Sequence, residues 1–477
     1  MHFKTIFRSF KNKDMLKRIG VIFGIIVAYR LLAQIPVPMG DASTFKEAVS
    51  NLLEKSDFSN FLNLISGGGL ASFSIILVGL SPYITGSIVM QLLSKAVPRL
   101  EELSEDGETG RRKINQWTRM LTVPLAIVQS IAYIFILYQS TISANISTDF
   151  VPTAGDWVLS VTAMTAGSLI LMWMGELITE QGIGNGISTL IFASIISQLP
   201  TTMAQLGSAL FNTSEGTLQL FGGLEIPVNP TVFWIILGFV VAMVVVIYCL
   251  VKLNEAQRII TINYAKRVHG NSSYGGIKSI LPIKLIAAGV IPVIFATAFL
   301  SLPALVGQVI TTVDSGNEVG AWLTTVFSAP TASNFATQYP DGITGQWFVY
   351  PVMYFLLVFA FTYFYTSIIF NTKEIADNLQ KQGGFIEGVR PGAKTAEYLA
   401  KVVKRLDLFG ALALGMIAML PFATDYVFIM TTGAPLGLSI SGTGLLIVVT
   451  VALENLRSVD SRALMITYDD FRNDSED

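Results

Sequence analysis

Ten long apolar runs hold most of this sequence, and nearly all of the charge sits in the stretches between them. They lie at roughly 19–36, 72–93, 117–139, 157–178, 184–199, 232–253, 281–302, 347–370, 408–423 and 433–453. A run of about 18 or more apolar residues with few charges has the length to cross a bilayer as a helix. The fifth and ninth runs are short, so their ends are the least defined. A β-barrel would need segments of about 10 residues with alternating polarity, which these are not. Composition agrees: the chain is 52% hydrophobic and 13% charged, against about 25% charged in a soluble domain. The fold expected is an all-α polytopic membrane protein of ten transmembrane helices.

The amino-terminal segment has six basic residues before the first run, as a signal peptide would. No small-residue cleavage site follows. "YRLLAQIPVP" comes instead, with Arg30 inside it, so the first run reads as an uncleaved span. Lys and Arg mark cytoplasmic loops. The loops 95–113, 252–284 and 371–405 carry five, six and seven of them, and the long loop 303–346 carries none. Both termini are therefore expected inside. The single cysteine, Cys249, lies in an apolar run, excludes a disulfide framework and offers no metal cluster.

Ten spans divide into two groups of five. Five is odd, so the second group starts on the opposite side of the membrane, which is the pattern of an inverted, pseudo-symmetric repeat. The expected organisation is an amino-terminal half at 1–200, an external connection at 201–230, a carboxy-terminal half at 231–455 and a cytoplasmic tail at 456–477. Residue-level repetition is not visible, so the symmetry rests on topology.

Ionisable residues at membrane depth usually mark an ion or substrate path. Here the middles of the second, fifth, seventh, eighth and tenth spans have none. That argues against an ion-coupled carrier with inverted repeats, the main rival reading. Enzyme readings fare worse. Both histidines, His2 and His269, lie outside the spans, and no H-E-x-x-H motif is present. "GIGNG" at 182–186 follows no strand, as nucleotide binding would need, and reads as a tight turn opening the fifth span. No cofactor and no metal is expected.

Two regions are unusual. "NLISGGGLASFS" just ahead of the second span is apolar enough to leave water, yet too short and glycine-rich to cross a bilayer. The cytoplasmic loops 252–284 and 371–405 combine basic residues with β-branched runs and turn chemistry. Contact with anionic membrane lipid explains their charge. It leaves their apolar residues and turns without a purpose, which points to docking of a cytoplasmic partner.

Several motifs carry a resemblance: "SPYITGSIVMQLL", "GELITEQGIGNGIS", "INYAKR", "LPIKLIAAGVIPVIFA", "ADNLQKQGGFIEGVRPG" and "SGTGLLIVVTV". They closely resemble the SecY family, channel subunits of the bacterial protein translocase, and the match runs from the first span to the tenth. The resemblance implies a clamshell of two halves in the cytoplasmic membrane. It passes secreted chains across and releases membrane helices sideways between spans two and seven. It implies that the half-helix at 61–73 is a plug in the pore, with Leu64, Ser66, Gly67, Gly68, Gly69, Leu70 and Phe73. The matching pore ring is Leu80, Ile84, Ile187, Ile191, Ile294 and Ile447. Such residues are ordinary filler in a membrane span. Their i,i+4 pairs, 80/84 and 187/191, at least share a helix face. The implied lateral seam holds Thr85, Ile88, Gln129 and Ile286, and the implied docking residues are Arg258, Lys266, Arg267, Arg390 and Lys394. Implied partners are the small subunits SecE and SecG, the ATPase motor SecA, the ribosome, signal-bearing polypeptides and membrane lipids. No specific nucleic-acid sequence is implied. Two positions depart from the family pattern. Glu387 stands where Pro is usual, and Ile286 where a polar Asn is usual.

Overall fold

A computed structural model describes residues 13–38, 69, 72–143, 153–211, 218–220, 224–226, 230–264, 267–269, 272–274, 278–286, 288–314, 316–328, 348–432 and 442–476. In chain order, the first helices are α1 (Lys13–Leu32), α2 (Ser81–Ala96), α3 (Pro98–Glu105), α4 (Gly107–Ser143), α5 (Ala154–Glu180) and α6 (Gly186–Leu210). A short hairpin, β1 (Leu218–Leu220) with β2 (Leu224–Ile226), leads to α7 (Pro230–Glu255). Four strands follow: β3 (Gln257–Tyr264), β4 (Arg267–His269), β5 (Ser272–Tyr274) and β6 (Lys278–Lys284). The chain ends with α8 (Ile291–Val313), α9 (Glu318–Phe327), α10 (Val349–Ile369), α11 (Thr372–Lys381), β7 (Gly384–Ile386), α12 (Ala393–Thr432) and α13 (Gly442–Glu476).

Each of the ten expected spans coincides wholly or partly with a helix. Among the described residues, five stretches are long and apolar enough to cross a bilayer; they lie in α4, α5, α7, α8 and from Val349 through α10. Helix α7 is apolar almost throughout, yet its Trp234, Val241, Val244 and Tyr248 all point outwards. Such a face suits lipid, which solvates apolar side chains as a protein core does.

Two span boundaries differ from expectation. The second span was expected from residue 72, but 72–80 is a series of turns and α2 begins only at Ser81. Gly79 takes a left-handed backbone (φ 63), and Pro82 sits in the first turn, where a missing N–H does no harm. The turns pair instead with the chain leaving α1. Val37 donates to the Phe73 carbonyl at 2.9 Å and Ile75 to the Ile35 carbonyl at 3.0 Å. Non-helical backbone is tolerated at membrane depth only where protein surrounds it. Helix α5 supplies that cover with small residues: Ser168 Oγ donates to the Gly79 carbonyl at 2.9 Å. A Cβ on Gly167 would lie 2.2 Å from the Ile75 carbonyl oxygen. Gly167→Val is therefore expected to force the segment off α5, at a cost of about 1–3 kcal/mol or more. Thermal unfolding of the purified protein in detergent measures it, and an unchanged midpoint would contradict this packing.

The seventh span was expected from residue 281, but Lys278–Lys284 is strand β6 and α8 begins at Ile291. The register runs Gln257↔Lys284 to Asn263↔Lys278, so β3 draws the apolar "SILPI" into a sheet. Strand β7 adds on the other side of β3, giving the order β6-β3-β7. Alternation then decides the faces. Ile260, Ile283 and Ile386 point inwards against Leu399 of α12, while Ile259 and Ile280 are exposed. This sheet and the basic first turns of α12 form one folded unit from two loops far apart in sequence.

The main core joins residues of α1, α2, α5, α6, α8, α10, α12 and α13. A second cluster packs Phe73, Leu77 and Val78 against Tyr133, Ile134, Met164, Ala304 and Leu305.

Candidate pore, seam and docking face

The six ring candidates share a local feature that periodicity does not reveal. Each lies within about two turns of a helix start. Leu80 is the residue before α2, and Ile84 its fourth. Ile187 and Ile191 open α6, Ile294 is the fourth residue of α8, and Ile447 the sixth of α13. Three of these starts follow a left-handed glycine: Gly79, Gly184 and Gly289. Each candidate thus sits at or just after a helix start. Five of the six side chains are buried, Ile187 is half-buried, and all belong to or pack against one apolar cluster. Their tips offer neither charge nor hydrogen bond.

Of the seam candidates, Thr85, Ile88, Gln129 and Ile286 are all buried. Thr85 Oγ1 and Gln129 Oε1 have no hydrogen-bond partner among the described residues, and neither does the neighbouring Ser130 Oγ. A buried polar atom without a partner costs about 1–3 kcal/mol. Helix α8 packs on both α2, which carries Thr85, and α4, which carries Gln129. Ile286 sits in the turn between β6 and α8, within van der Waals reach of Gly410 on α12.

Ile286 also lines a cavity of about 650 Å³ with Asn185, Lys284, Tyr365, Glu454 and Arg457. Burial raises the Glu454 carboxyl above its usual range, and Lys284 and Arg457 oppose the rise. Burial, helped by Arg457, lowers the Lys284 ammonium. Sequence reading did not single out Lys284, Asn254, Glu454, Asn455, Arg457 or Arg462. They are ordinary polar residues at the ends of apolar runs, and "GIGNG" itself read only as a tight turn.

Of the docking candidates, Arg390 is exposed and makes no ion pair among the described residues. Its turn is pinned despite Glu387: Val389 donates to the Ile386 carbonyl, Thr395 Oγ1 to the Arg390 carbonyl, and Gly388 and Gly392 are left-handed. Arg258 is exposed on β3. Lys394 is exposed too, but its ammonium is held at 3.0 Å by Glu397, whose carboxyl Lys394 and Lys401 keep below the usual range. Arg267 lies on β4, and Lys266 lies outside the described residues. So do the plug candidates Leu64, Ser66, Gly67, Gly68 and Leu70. Gly69 and Phe73 are described and both are buried.

A family model described as SecY matches residues 74–456. The chain belongs to the SecY family. Protein translocase subunit SecY of Streptomyces scabiei is 38% identical over 475 residues, covering 97% of this chain and 98% of that protein. Protein translocase subunit SecY of Corynebacterium glutamicum is 37% identical over 470 residues, covering 98% and 99%. Among solved structures, a protein-conducting channel aligns with a TM-score of 0.59 at 18% identity, over 92% of this chain and 90% of that one. Sec61 in the canine ribosome–channel complex aligns at 0.55, also 18% identical, over 92% and 90%. The fold is therefore that of the SecY and Sec61 channels.

Proposed function

We propose that this chain is a protein-conducting channel that passes unfolded secretory polypeptides across a bacterial cytoplasmic membrane. The observation that carries the reading is membership of the SecY family over residues 74–456 together with a fold shared with a solved protein-conducting channel; the six aliphatic ring candidates, which belong to the main core or pack against it, fit that reading. An aliphatic constriction dewets and stops ions. It also yields to a passing chain without binding it. The two halves, 1–200 and 231–455 in this reading, part along the line where α8 meets α2 and α4. Membrane-protein helices leave sideways there, and 61–73 plugs the resting pore. Both termini face the cytoplasm. SecE and SecG complete the channel, while the motor SecA and the ribosome dock on the β3–β6–β7 sheet and the Arg390 turn. The chain performs no catalysis of its own. Reconstitution tests the proposal: proteoliposomes should pass a signal-bearing polypeptide and no small solute. Passage of a small solute alone would favour the inverted-repeat carrier instead.

Ile286 sets how demanding this channel is. A signal sequence opens the seam with its own apolar helix, so closed and open states differ by only a few kcal/mol. A polar residue at this position would find partners when closed and water when open. Isoleucine offers no hydrogen bond and packs well, which keeps the seam dry and shut. Hydrogen bonds between membrane helices average roughly 0.6 kcal/mol. Ile286→Asn is expected to relax the requirement for signal hydrophobicity by on the order of 1 kcal/mol, or about fivefold in opening. Export of a signal series of graded hydrophobicity through both channels measures it. A mutant that needs an equally or more hydrophobic signal would remove Ile286 from the seam.

A further inference from the structure

We propose that α9 is an interfacial anchor: it folds back beside the outer end of α8 and lays Val319 and Trp322 in the outer leaflet, where they meet phospholipid at headgroup level. The inference rests on the channel reading above, which places 303–346 outside the membrane and Ile294 near its middle. The turn from α8 into α9 is closed by hydrogen bonds. Asn317 caps α9, its Oδ1 accepting from the Val319 and Gly320 backbones at 3.0 and 3.2 Å. Its own N–H donates to the Asp314 carbonyl at 3.1 Å. Two glycines then bring the helices together. A Cβ on Gly307 of α8 would lie 2.7 Å from Leu323 Cβ and 2.9 Å from the Thr324 backbone nitrogen. A Cβ on Gly320 of α9 would lie 2.8 Å from Ile310 Cγ2. The two helices pack as one hairpin, so α9 goes where the end of α8 goes.

Helix geometry sets the side and the depth. Gly307 lies about 140° around α8 from Ile294, so α9 rides on the side away from the ring candidate. Phe299, Val306 and Val313 are exposed along one line of the α8 surface, and α9 flanks that line. At 1.5 Å per residue, Gly307 is about 20 Å beyond Ile294. The hydrocarbon ends roughly 15 Å from the bilayer midplane and the headgroups roughly 20–22 Å from it. Trp322 is next to Leu323, which touches Gly307, and so falls in the headgroup band, where Trp is enriched. The polarity of α9 runs the same way. Its one charged residue, Glu318, is the first and sits at the watery end. Its last, Phe327, packs against both apolar clusters. The Trp322 ring leans towards Phe327, edge to face, with centroids 6.1 Å apart.

Lipid suits this face better than a protein partner does. Val319 and Trp322 are 61% and 58% exposed. The threonines around them keep their hydroxyl protons within their own helices. Thr324 and Thr325 Oγ1 donate to the Ala321 carbonyl at 2.9 and 2.8 Å, and Thr311 and Thr312 Oγ1 of α8 to the Gln308 carbonyl at 3.0 and 2.5 Å. Such back-bonding leaves mostly methyl groups to meet the surroundings. A stable protein interface takes about 800 Å² from each partner. An aromatic side chain buries about 150–250 Å², so one Trp and one Val fall well short. An interfacial helix needs no such area, because it sinks an apolar face towards the acyl chains and keeps its polar end in water.

The test uses the full chain in vesicles of phosphatidylcholine and phosphatidylglycerol, with Cys249, the sole cysteine, replaced by Ser. A nitroxide is attached at Trp322→Cys or Val319→Cys. Its collisions with oxygen, which concentrates among acyl chains, are compared with those with a water-soluble nickel chelate. Val241→Cys on the outward face of α7 gives the lipid value, and Arg390→Cys on its exposed turn gives the water value. The oxygen-to-nickel ratio at position 322 is expected to lie between the two, at least about threefold above the water value, as for a helix in the interface. A ratio equal to the water value overturns the anchor. A label shielded from both colliders overturns it too, because protein then covers the face. Gly307→Val, which parts the hairpin, should lower the ratio at 322 by about twofold or more as α9 loses its seat. An unchanged ratio there overturns the role of α8 in holding α9. Export that fails in the unlabelled chain would overturn the channel reading and leave these ratios as measured.

Discussion

Channels carrying Arg390→Glu are expected to lose ATP-driven export while still inserting and assembling normally. The expectation follows from where the side chain sits. Arg390 is exposed, unpaired among the described residues, and presented by a turn held by the Val389 N–H on the Ile386 carbonyl and by Thr395 Oγ1 on the Arg390 carbonyl. A fixed turn keeps the guanidinium in place without help from its charge, so its removal should leave the fold intact. Lys394, one turn away, is occupied by Glu397. Arg390 is therefore the cation on this turn most available to a partner. Truncating one member of a hydrogen-bonded charge pair at an interface costs about 2–5 kcal/mol, and reversing its sign adds repulsion. Motor-driven export should fall at least about 30-fold, since each 1.4 kcal/mol is tenfold. The assay is ATP-dependent uptake of a secreted protein by inverted vesicles, with channel quantity matched by blotting. Normal uptake would remove Arg390 from the docking face.

The triple variant Ile84→Ser, Ile187→Ser, Ile447→Ser is expected to leak ions. Three hydroxyls at an aliphatic constriction give water donors and acceptors where it had none, and a wetted pore conducts. Resting conductance in planar bilayers should rise about tenfold or more, because the dry gap is the barrier. Buried aliphatics cost stability when shortened, at about 2–5 kcal/mol for the larger losses, so a general loosening must be separated from wetting. Leu399→Ser provides that control. Leu399 is fully buried in the cluster under the β-sheet, away from the ring. It should weaken the protein and leave conductance unchanged. A triple variant as tight as wild type, or a leak of equal size in Leu399→Ser, would mean that these isoleucines do not line the pore.

The sequence by itself determined the helical membrane class and the rough position of the apolar helices, because a charge-free run of bilayer length has one stable use. It also determined where helices break, through glycine and proline at Gly79-Leu80-Ser81-Pro82 and Gly289-Val290-Ile291-Pro292. Hydropathy misjudged the two boundaries at those breaks. Both 72–80 and 281–284 lie in apolar runs, and backbone groups in them are met by partners distant in sequence: the exit of α1 for one, strand β3 for the other. Tertiary structure alone decided which isoleucines are buried in the main core. Lipid and protein interior are both apolar, so an Ile that faces lipid and one that faces a pore obey the same local preferences. Family resemblance named Ile84 and Ile447, and packing brought them into one cluster. The contact between α6 and α13 is the clearest case. Thr189 and Asn455 are 266 residues apart, each unremarked in its own segment. Only the folding of α13 across the glycine turn makes one the donor to the other.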